Sequence, residues 1–255
     1  EGDTMKKKLA VVLIAALTVS TMAVGCGSSK NSSSTDTKET KTESTKDSVS
    51  NGGNTFTVGF DAEYPPYGYM DDDGEYTGFD LELAQAVCDL EGWTLVKKPI
   101  NWDSKDMELN SGSIDCIWNG FTMNGREDDY TFSTPYVDNS QVIVVAENSG
   151  IEKLSDLAGK TVGVQAASAA LDLLNSEEEG GQKALADTFG SLNEFADYNT
   201  AFTELQAGAL DALAIDIGVA KYQINSRGDG YKILDETLNK EQSAIGFKKG
   251  NTELC

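Results

Sequence analysis

Histidine is absent from the 255 residues, and this absence removes a large share of known active-site chemistry. Without imidazole there is no Ser-His-Asp or Cys-His nucleophilic arrangement, and no zinc site of the histidine-bearing kinds. Arginine is almost as scarce, with Arg126 and Arg227 standing among eighteen lysines. Positive charge is short overall: 20 Lys and Arg face 42 Asp and Glu, for a formal net charge of −22. Nucleic acid is a poor partner for such a surface, because affinity there rests on neutralising phosphates. The sequence contains neither a phosphate-cradling glycine loop with lysine nor a dinucleotide fingerprint, so no cofactor is expected.

The single long apolar run, Leu9 to Val24, follows Lys6-Lys7-Lys8 and ends in Ala23-Val24-Gly25 before Cys26. That order predicts a lipoprotein signal peptide over 5–25, with Met5 as the natural start, 1–4 as upstream residues and a diacylglycerol on the Cys26 thiol. Ala23 stands where such signals usually carry a larger aliphatic, and ordinary secretion is the alternative. The run is short, and Thr18, Ser20 and Thr21 interrupt it, which argues against spanning a ~30 Å hydrocarbon core. Cleavage before Cys26 removes three lysines and two acids, leaving 17 basic against 40 acidic residues. So acidic a body is repelled by anionic lipid, and membrane residence would rest on the acyl chains.

Residues 27–54 hold one aliphatic side chain, Val49, among Ser, Thr, Lys, Asn, Gly and acids. Such a segment buries too little apolar surface to offset chain entropy and is predicted to be a disordered tether, with roughly 30 Å of reach. Of the remaining cysteines, Cys88 falls in a helical pattern and Cys116 in a buried-strand pattern. Free core thiols are the expectation for both, and pairing of two cysteines is the alternative for an exported chain.

From Thr55 the pattern becomes that of a folded α/β body. TFTVGF, TLVKKPI, IDCIW, VIVVA, Thr161–Gln165, 211–215 and 231–234 read as strands. A helix runs from Phe79 to Gly92 with an apolar face at Leu83, Val87 and Leu90, and a second starts on Asp103 as N-cap and ends before Gly112. Further helices fall at 168–175, 200–208 and 216–225. DDDGEYTG (71–78) is a turn that lacks the alternation of a calcium loop, and Arg227-Gly228-Asp229 reads as a chance tripeptide. Arg126 offers a rigid fork that grips a carboxylate with two hydrogen bonds; taken alone, however, it reads first as a surface ion pair with Glu127 or Asp128.

GFDAEYPPYGY (59–69), GEYTGFDLELAQAV (74–87), SGSIDCIWNGFT (111–122), Arg126 followed by FSTPY, LSDLAGKTVGVQ (154–165) and LDALAID (210–216) occur together and in order. In this the chain resembles the family 3 extracellular solute-binding proteins, amino-acid receptors of ABC importers, over essentially all of 55–250. The resemblance implies a two-lobed, type II periplasmic-binding-protein-like α/β fold with two hinge crossings. Lobe 1 would cover 55–145, lobe 2 would cover 146–245, and 246–255 would return to lobe 1, with hinges near Ala146 and Gly246. The family would continue past Cys255, so a truncated C-terminal part is expected.

The same resemblance implies that a polar amino acid is closed between the lobes and delivered to a permease by a monomer; the predicted lipid anchor would hold it at the membrane, and the long polar tether suits a Gram-positive surface. Arg126 would take the ligand α-carboxylate, with Thr122 and the backbone at Asn119 and Gly120 adding contacts. Ser168 and the N–H groups opening its helix would complete that site, and Asp216 would pair the α-ammonium; its other reading, as N-cap of helix 216–225, is compatible with that role. Asp61, Tyr64 and Trp102 would shape the side-chain pocket, the two rings by sandwiching the ligand or by packing in the core. The sequence departs from the family in a Thr122–Arg126 loop one residue short, and in Ala167 and Ala169 where Gly and Thr are usual. An enzyme of dehydratase type and a signalling receptor domain are the alternative functions, and glutamine, cystine and basic amino acids all remain open as ligands.

Overall fold

The computed structural model describes residues 55–228 and 230–255. The predicted signal peptide, Cys26, the tether and Asp229 lie outside the described residues. Strand β1 (Thr55–Phe60) opens the first sheet with Phe56, Val58 and Phe60 all buried on one face. Strands β2 (Glu63–Tyr64), β3 (Gly68–Met70) and β4 (Tyr76–Thr77) form a small antiparallel meander. The Asp71 carboxylate closes its predicted turn by accepting the N–H groups of Asp73 at 3.0 Å and Glu75 at 2.9 Å.

Helix α1 (Phe79–Glu91) stops at Gly92, as the sequence predicts, but it is rotated from the predicted face. Leu81, Ala84 and Cys88 are buried, while Phe79 is 45% and Leu90 85% exposed. Both stripes have helical spacing, so periodicity does not choose between them. The small side chains of Ala84 and Cys88 bring the helix close to the sheet, which favours their face.

Strand β5 (Thr94–Pro99) lies parallel to β1. A 3-10 turn over Trp102–Ser104 precedes helix α2 (Lys105–Ser111). Asp103 therefore sits inside the turn, accepting from the Ser104 hydroxyl at 3.0 Å, and does not cap the helix; Gly112 does end it, at φ 77°. Strands β6 (Cys116–Ile117) and β7 (Tyr130–Phe132) complete the outgoing half of lobe 1. Cys88 and Cys116 are both buried and unpaired.

The chain then leaves through β8 (Val137–Asn139), and β9 (Gln141–Ala146) already lies in the second sheet, antiparallel to its neighbours on both sides. That lobe continues through β10 (Thr161–Gln165), α3 (Ala169–Asn175), α4 (Lys183–Ala186), β11 (Ser191–Phe195) and α5 (Tyr198–Gln206). It ends with β12 (Ala212–Asp216), α6 (Ile217–Arg227) and β13 (Tyr231–Ile233). Strand β14 (Glu241–Ser243) pairs antiparallel with β8 and returns the chain to β15 (Gly246–Lys248) in the first sheet. The crossing expected near Ala146 therefore occurs over 137–140, because VIVVA pairs only within lobe 2; the return, expected near Gly246, occurs over 241–245.

The sheet orders are β5-β1-β6-β15-β7 and β11-β10-β12-β9-β13. Apolar clusters cover both faces of each sheet, as parallel strands require, and each fully buried Leu, Ile or Phe contributes about 1.5–3 kcal/mol. Among the described residues no helix is long and apolar enough to cross a membrane.

Asp80, in the first turn of α1, is fully buried. Its Oδ2 accepts from the Gly120 N–H at 2.5 Å and the Tyr136 hydroxyl at 2.9 Å, while Oδ1 has no partner. Burial outweighs these donors and lifts the carboxyl to about 7. The folded state thus holds a proton that the unfolded chain releases near pH 4, and stability falls as pH rises between those values. Asp80→Asn is expected to reduce that fall, by up to ~3 kcal/mol between pH 5 and pH 8 at ~1.4 kcal/mol per pKa unit. Urea unfolding at pH 5 and pH 8 measures it, and an unchanged pH dependence in the variant would refute this account.

Candidate functional site

The parallel strands β1 and β6 of lobe 1 and β10 of lobe 2, with β12, end at the cleft between the sheets. In open α/β sheets this carboxyl-end crevice is where ligands bind. The residues that end or follow those strands include Asp61, Asn119, Gly120, Ser168 and Asp216, five of the nine site residues predicted from sequence. A cavity of about 660 Å³ opens on one side of the cleft. Lobe 1 lines it with Asp61, Glu63, Trp102, Asp103 and Glu108, and lobe 2 with Ala166, Ala196 and Asp197. A second cavity, of about 500 Å³, lies beside Arg126, Asp172, Ser176 and Glu241.

Asp61 is 7% exposed and reaches across the cleft. Its Oδ2 accepts from Gln165 Nε2 at 2.7 Å and its Oδ1 from the Glu63 N–H at 2.8 Å. Burial raises its carboxyl to about 6 against the pull of those donors, with Asp197 and Glu63 adding repulsion. Tyr64 and Trp102 stand nearly parallel, with 8° between planes and centroids 6.5 Å apart. Tyr64 and Tyr67, both from lobe 1, share an apolar cluster with the lobe 2 residues Tyr198 and Phe202. Tyr67 lies against Gly218 so closely that a Cβ there would come within 2.4 Å of the phenol oxygen.

Asp216 is wholly enclosed. The Tyr64 hydroxyl donates to its Oδ2 and the Asn139 amide to its Oδ1. It occupies the N-cap position of α6 but makes no side-chain cap bond, so the capping alternative is not realised. Burial first, and then the charge of Glu241, raise its carboxyl to about 6.

Arg126 does not pair with Glu127 or Asp128. Its Nη2 reaches the Asp172 Oδ2 of lobe 2 at 2.7 Å, and its guanidinium lies 4.9 Å from the Phe121 ring centre. The arginine side chain is 11% exposed and the aspartate 63%. The Thr122 hydroxyl donates to Glu241 Oε1 at 2.8 Å. The Gly120 N–H is already engaged by Asp80, and Asn119 accepts the Asp61 N–H through Oδ1, which leaves the Asn119 amide nitrogen as the unpartnered donor of that pair. Ser168 caps α3 by accepting the Leu171 N–H at 3.2 Å.

Several contributors escaped the sequence reading. Glu241, 5% exposed, accepts at Oε1 from Thr122, Asn139 and Gln141 and at Oε2 from Asn239. Gln165 and Asp172 bond to predicted residues across the cleft, and Lys105 donates to the Ala167 carbonyl at 3.1 Å. A carboxylate or amide flanked by other polar residues carries no periodic signal, so pattern reading passes over it. Among the described residues no group of three or more Cys, Asp or Glu side chains is placed to hold a metal ion. The arrangement instead brings polar and charged groups of both lobes to the cleft, with Asp61 and Trp102 on one cavity and Arg126 and Glu241 on the other, a set suited to holding a small polar solute.

Comparison with known proteins agrees with this geometry. The chain is 30% identical to the L-cystine-binding protein TcyJ of Escherichia coli K12 over 203 residues, 78% of this chain and 73% of that one. It is 30% identical to the arginine-binding extracellular protein ArtP of Bacillus subtilis 168 over 249 residues, 96% of this chain and 87% of that one. Among solved structures, an ABC uptake transporter substrate-binding protein of Streptococcus pneumoniae with bound histidine superposes with a TM-score of 0.74 at 35% identity, covering 79% of this chain and 82% of that one. The profile of the bacterial extracellular solute-binding proteins, family 3, matches residues 56–255, and with two lobes closing on a polar cleft the chain belongs to that family.

Proposed function

We propose that this protein captures a free polar amino acid between its lobes and presents it to the permease of an ABC importer. The observation that carries the reading is that the lobes contribute opposite charges at the cleft, Arg126, which bonds across it to Asp172, and Asp216, an enclosed carboxyl at the end of the lobe 2 strand β12. A zwitterion fits that pair, with its carboxylate on the guanidinium and its ammonium on the aspartate. On entry it would replace the Asp172 carboxylate and the Tyr64 hydroxyl, so affinity is a difference between two sets of bonds. Tyr64 and Trp102 would flank the ligand side chain, and Asp61 with its acidic neighbours favours one that ends in a hydrogen-bond donor. The names of the relatives, cystine-binding and arginine-binding, accord with this preference.

Closure would proceed by rotation about the paired strands β8 and β14, a known mode of domain motion. In this reading the protein works as a monomer without chemical turnover. A diacylglycerol on Cys26 would hold it at the outer face of the membrane, with residues 27–54 as the tether; this arrangement suits a Gram-positive surface. Mass spectrometry of the membrane-bound protein is expected to find a lipid-modified Cys26 as the mature N-terminus, and an unmodified terminus would remove the anchor while leaving capture intact.

Titration calorimetry against a panel of amino acids tests capture itself. Arg126→Ala is expected to weaken the best ligand by about 2–5 kcal/mol, because a desolvated carboxylate is left unpaired. Affinity unchanged by that substitution would sink the assignment.

Acidity supplies an independent check. The carboxyls of Asp61 and Asp216 titrate near 6 and must be ionised to hold a cationic group. Affinity is therefore expected to drop as pH falls from 7.5 to 5, by at most ~tenfold per pH unit for each group. Equal affinity at both ends of that range counts against either acid meeting the ligand.

A further inference from the structure

Lys105, the first residue of α2, is kept from water. It is 5% exposed, its Nζ lies 5.2 Å from the Trp102 ring centre, and its hydrogen bond crosses the cleft to the Ala167 carbonyl at 3.1 Å. Burial and the neighbouring Arg126 push its amine below the usual lysine range, against the attraction of Asp106, Asp172 and Asp103. A lysine held at such a position needs a reason, because the same stem directed outward would carry its charge in water.

The acceptor is as unusual as the donor. Ala167, at φ 55°, is the one residue other than glycine with positive φ among the described residues. That left-handed conformation crowds a Cβ and is sparsely populated outside Gly, Asn and Asp. Ala167 forms the turn between β10 and α3 and immediately precedes Ser168, the α3 cap. Arg126, the other lobe 1 cation that crosses the cleft among the described residues, bonds to Asp172 in the same helix. The 167–172 segment is thus gripped from lobe 1 at two points, one of them a backbone carbonyl in a disfavoured turn.

We propose that Lys105 is a positioning residue for solute capture: by pinning the Ala167 carbonyl across the cleft it fixes the turn before Ser168 and sets the lifetime of the closed state. The inference rests on the capture reading above. The bond joins the two lobes, so it exists only while they are closed, and its loss acts on release more than on the folding of either lobe. In sequence, Lys105 lies in DSKDMELNSG, where a lysine at a helix start reads as a solvated side chain.

The test is stopped-flow dissociation of the amino acid that binds the purified protein most tightly in calorimetry. Lys105→Met keeps the apolar stem and removes the donor. It is expected to speed dissociation by about tenfold while association changes by less than about twofold, as for a contact formed after encounter. Its melting temperature without added amino acid is expected to stay level or rise, since a buried charge has been removed. Lys105→Arg retains a donor of sufficient reach and is expected to restore slow release. In an Ala167→Gly background, where φ 55° is unstrained, Lys105→Met is expected to have a smaller effect. Unchanged dissociation in Lys105→Met, or a large fall in its melting temperature that Lys105→Arg does not reverse, overturns the proposal. Failure of the wild-type protein to bind any amino acid overturns the capture reading instead.

Discussion

The buried carboxylate of Glu241 is the point on which the two lobes and the site depend. It lies on β14, the strand that returns the chain to lobe 1, and a charge removed from water there must be fully hydrogen-bonded. Thr122 of lobe 1, Asn139 of the outgoing crossing, Gln141 at the start of the lobe 2 sheet and Asn239 supply the donors, at 2.7 to 3.0 Å. One side chain thereby gathers both crossings and an edge of each lobe. The same charge acts on Asp216, whose carboxyl it raises beyond what burial alone would do. Asp216 and the paired crossing strands are therefore electrostatically linked, and Asn139 donates to both Asp216 and Glu241.

Much of the scaffold could be read from the sequence because its strands are continuous apolar runs. VIVVA, TVGVQ and ALAID are buried along almost their whole length, as expected of strands covered on both faces. Gly92 and Gly112 ended their helices where the pattern placed them. The polar strand SLNEF gave no such run and was missed, and α1 has two stripes of equal spacing, so its orientation depends on packing. The contacts that build the site were hidden for another reason. Asp61 meets Gln165 across 104 residues of chain, and Glu241 meets Thr122 across 119. Local pattern carries no information about which polar residues converge over such distances. Arg126 was legible because arginine is so rare here; Lys105, one of eighteen lysines, was not.

Charge placement ties the fold to the choice of solute. The body is strongly acidic, yet Arg126 and Lys105 direct positive charge from lobe 1 toward one helix of lobe 2, while Asp216 and Glu241 place negative charge at the lobe 2 strand ends and the hinge. In the capture reading proposed above, a zwitterion lying along that separation would satisfy both ends at once, each through a different lobe. Both of its charges would then favour the closed arrangement. A simple anion would leave Asp216 repelling Glu241 without a cation to relieve it, and a simple cation would leave Arg126 with only the exposed Asp172, a pair worth ~0–1 kcal/mol at most surfaces. In the capture reading, closure would discriminate by requiring opposite charges, and a side-chain pocket between Tyr64, Trp102 and Asp61 would select only among solutes that already meet that requirement.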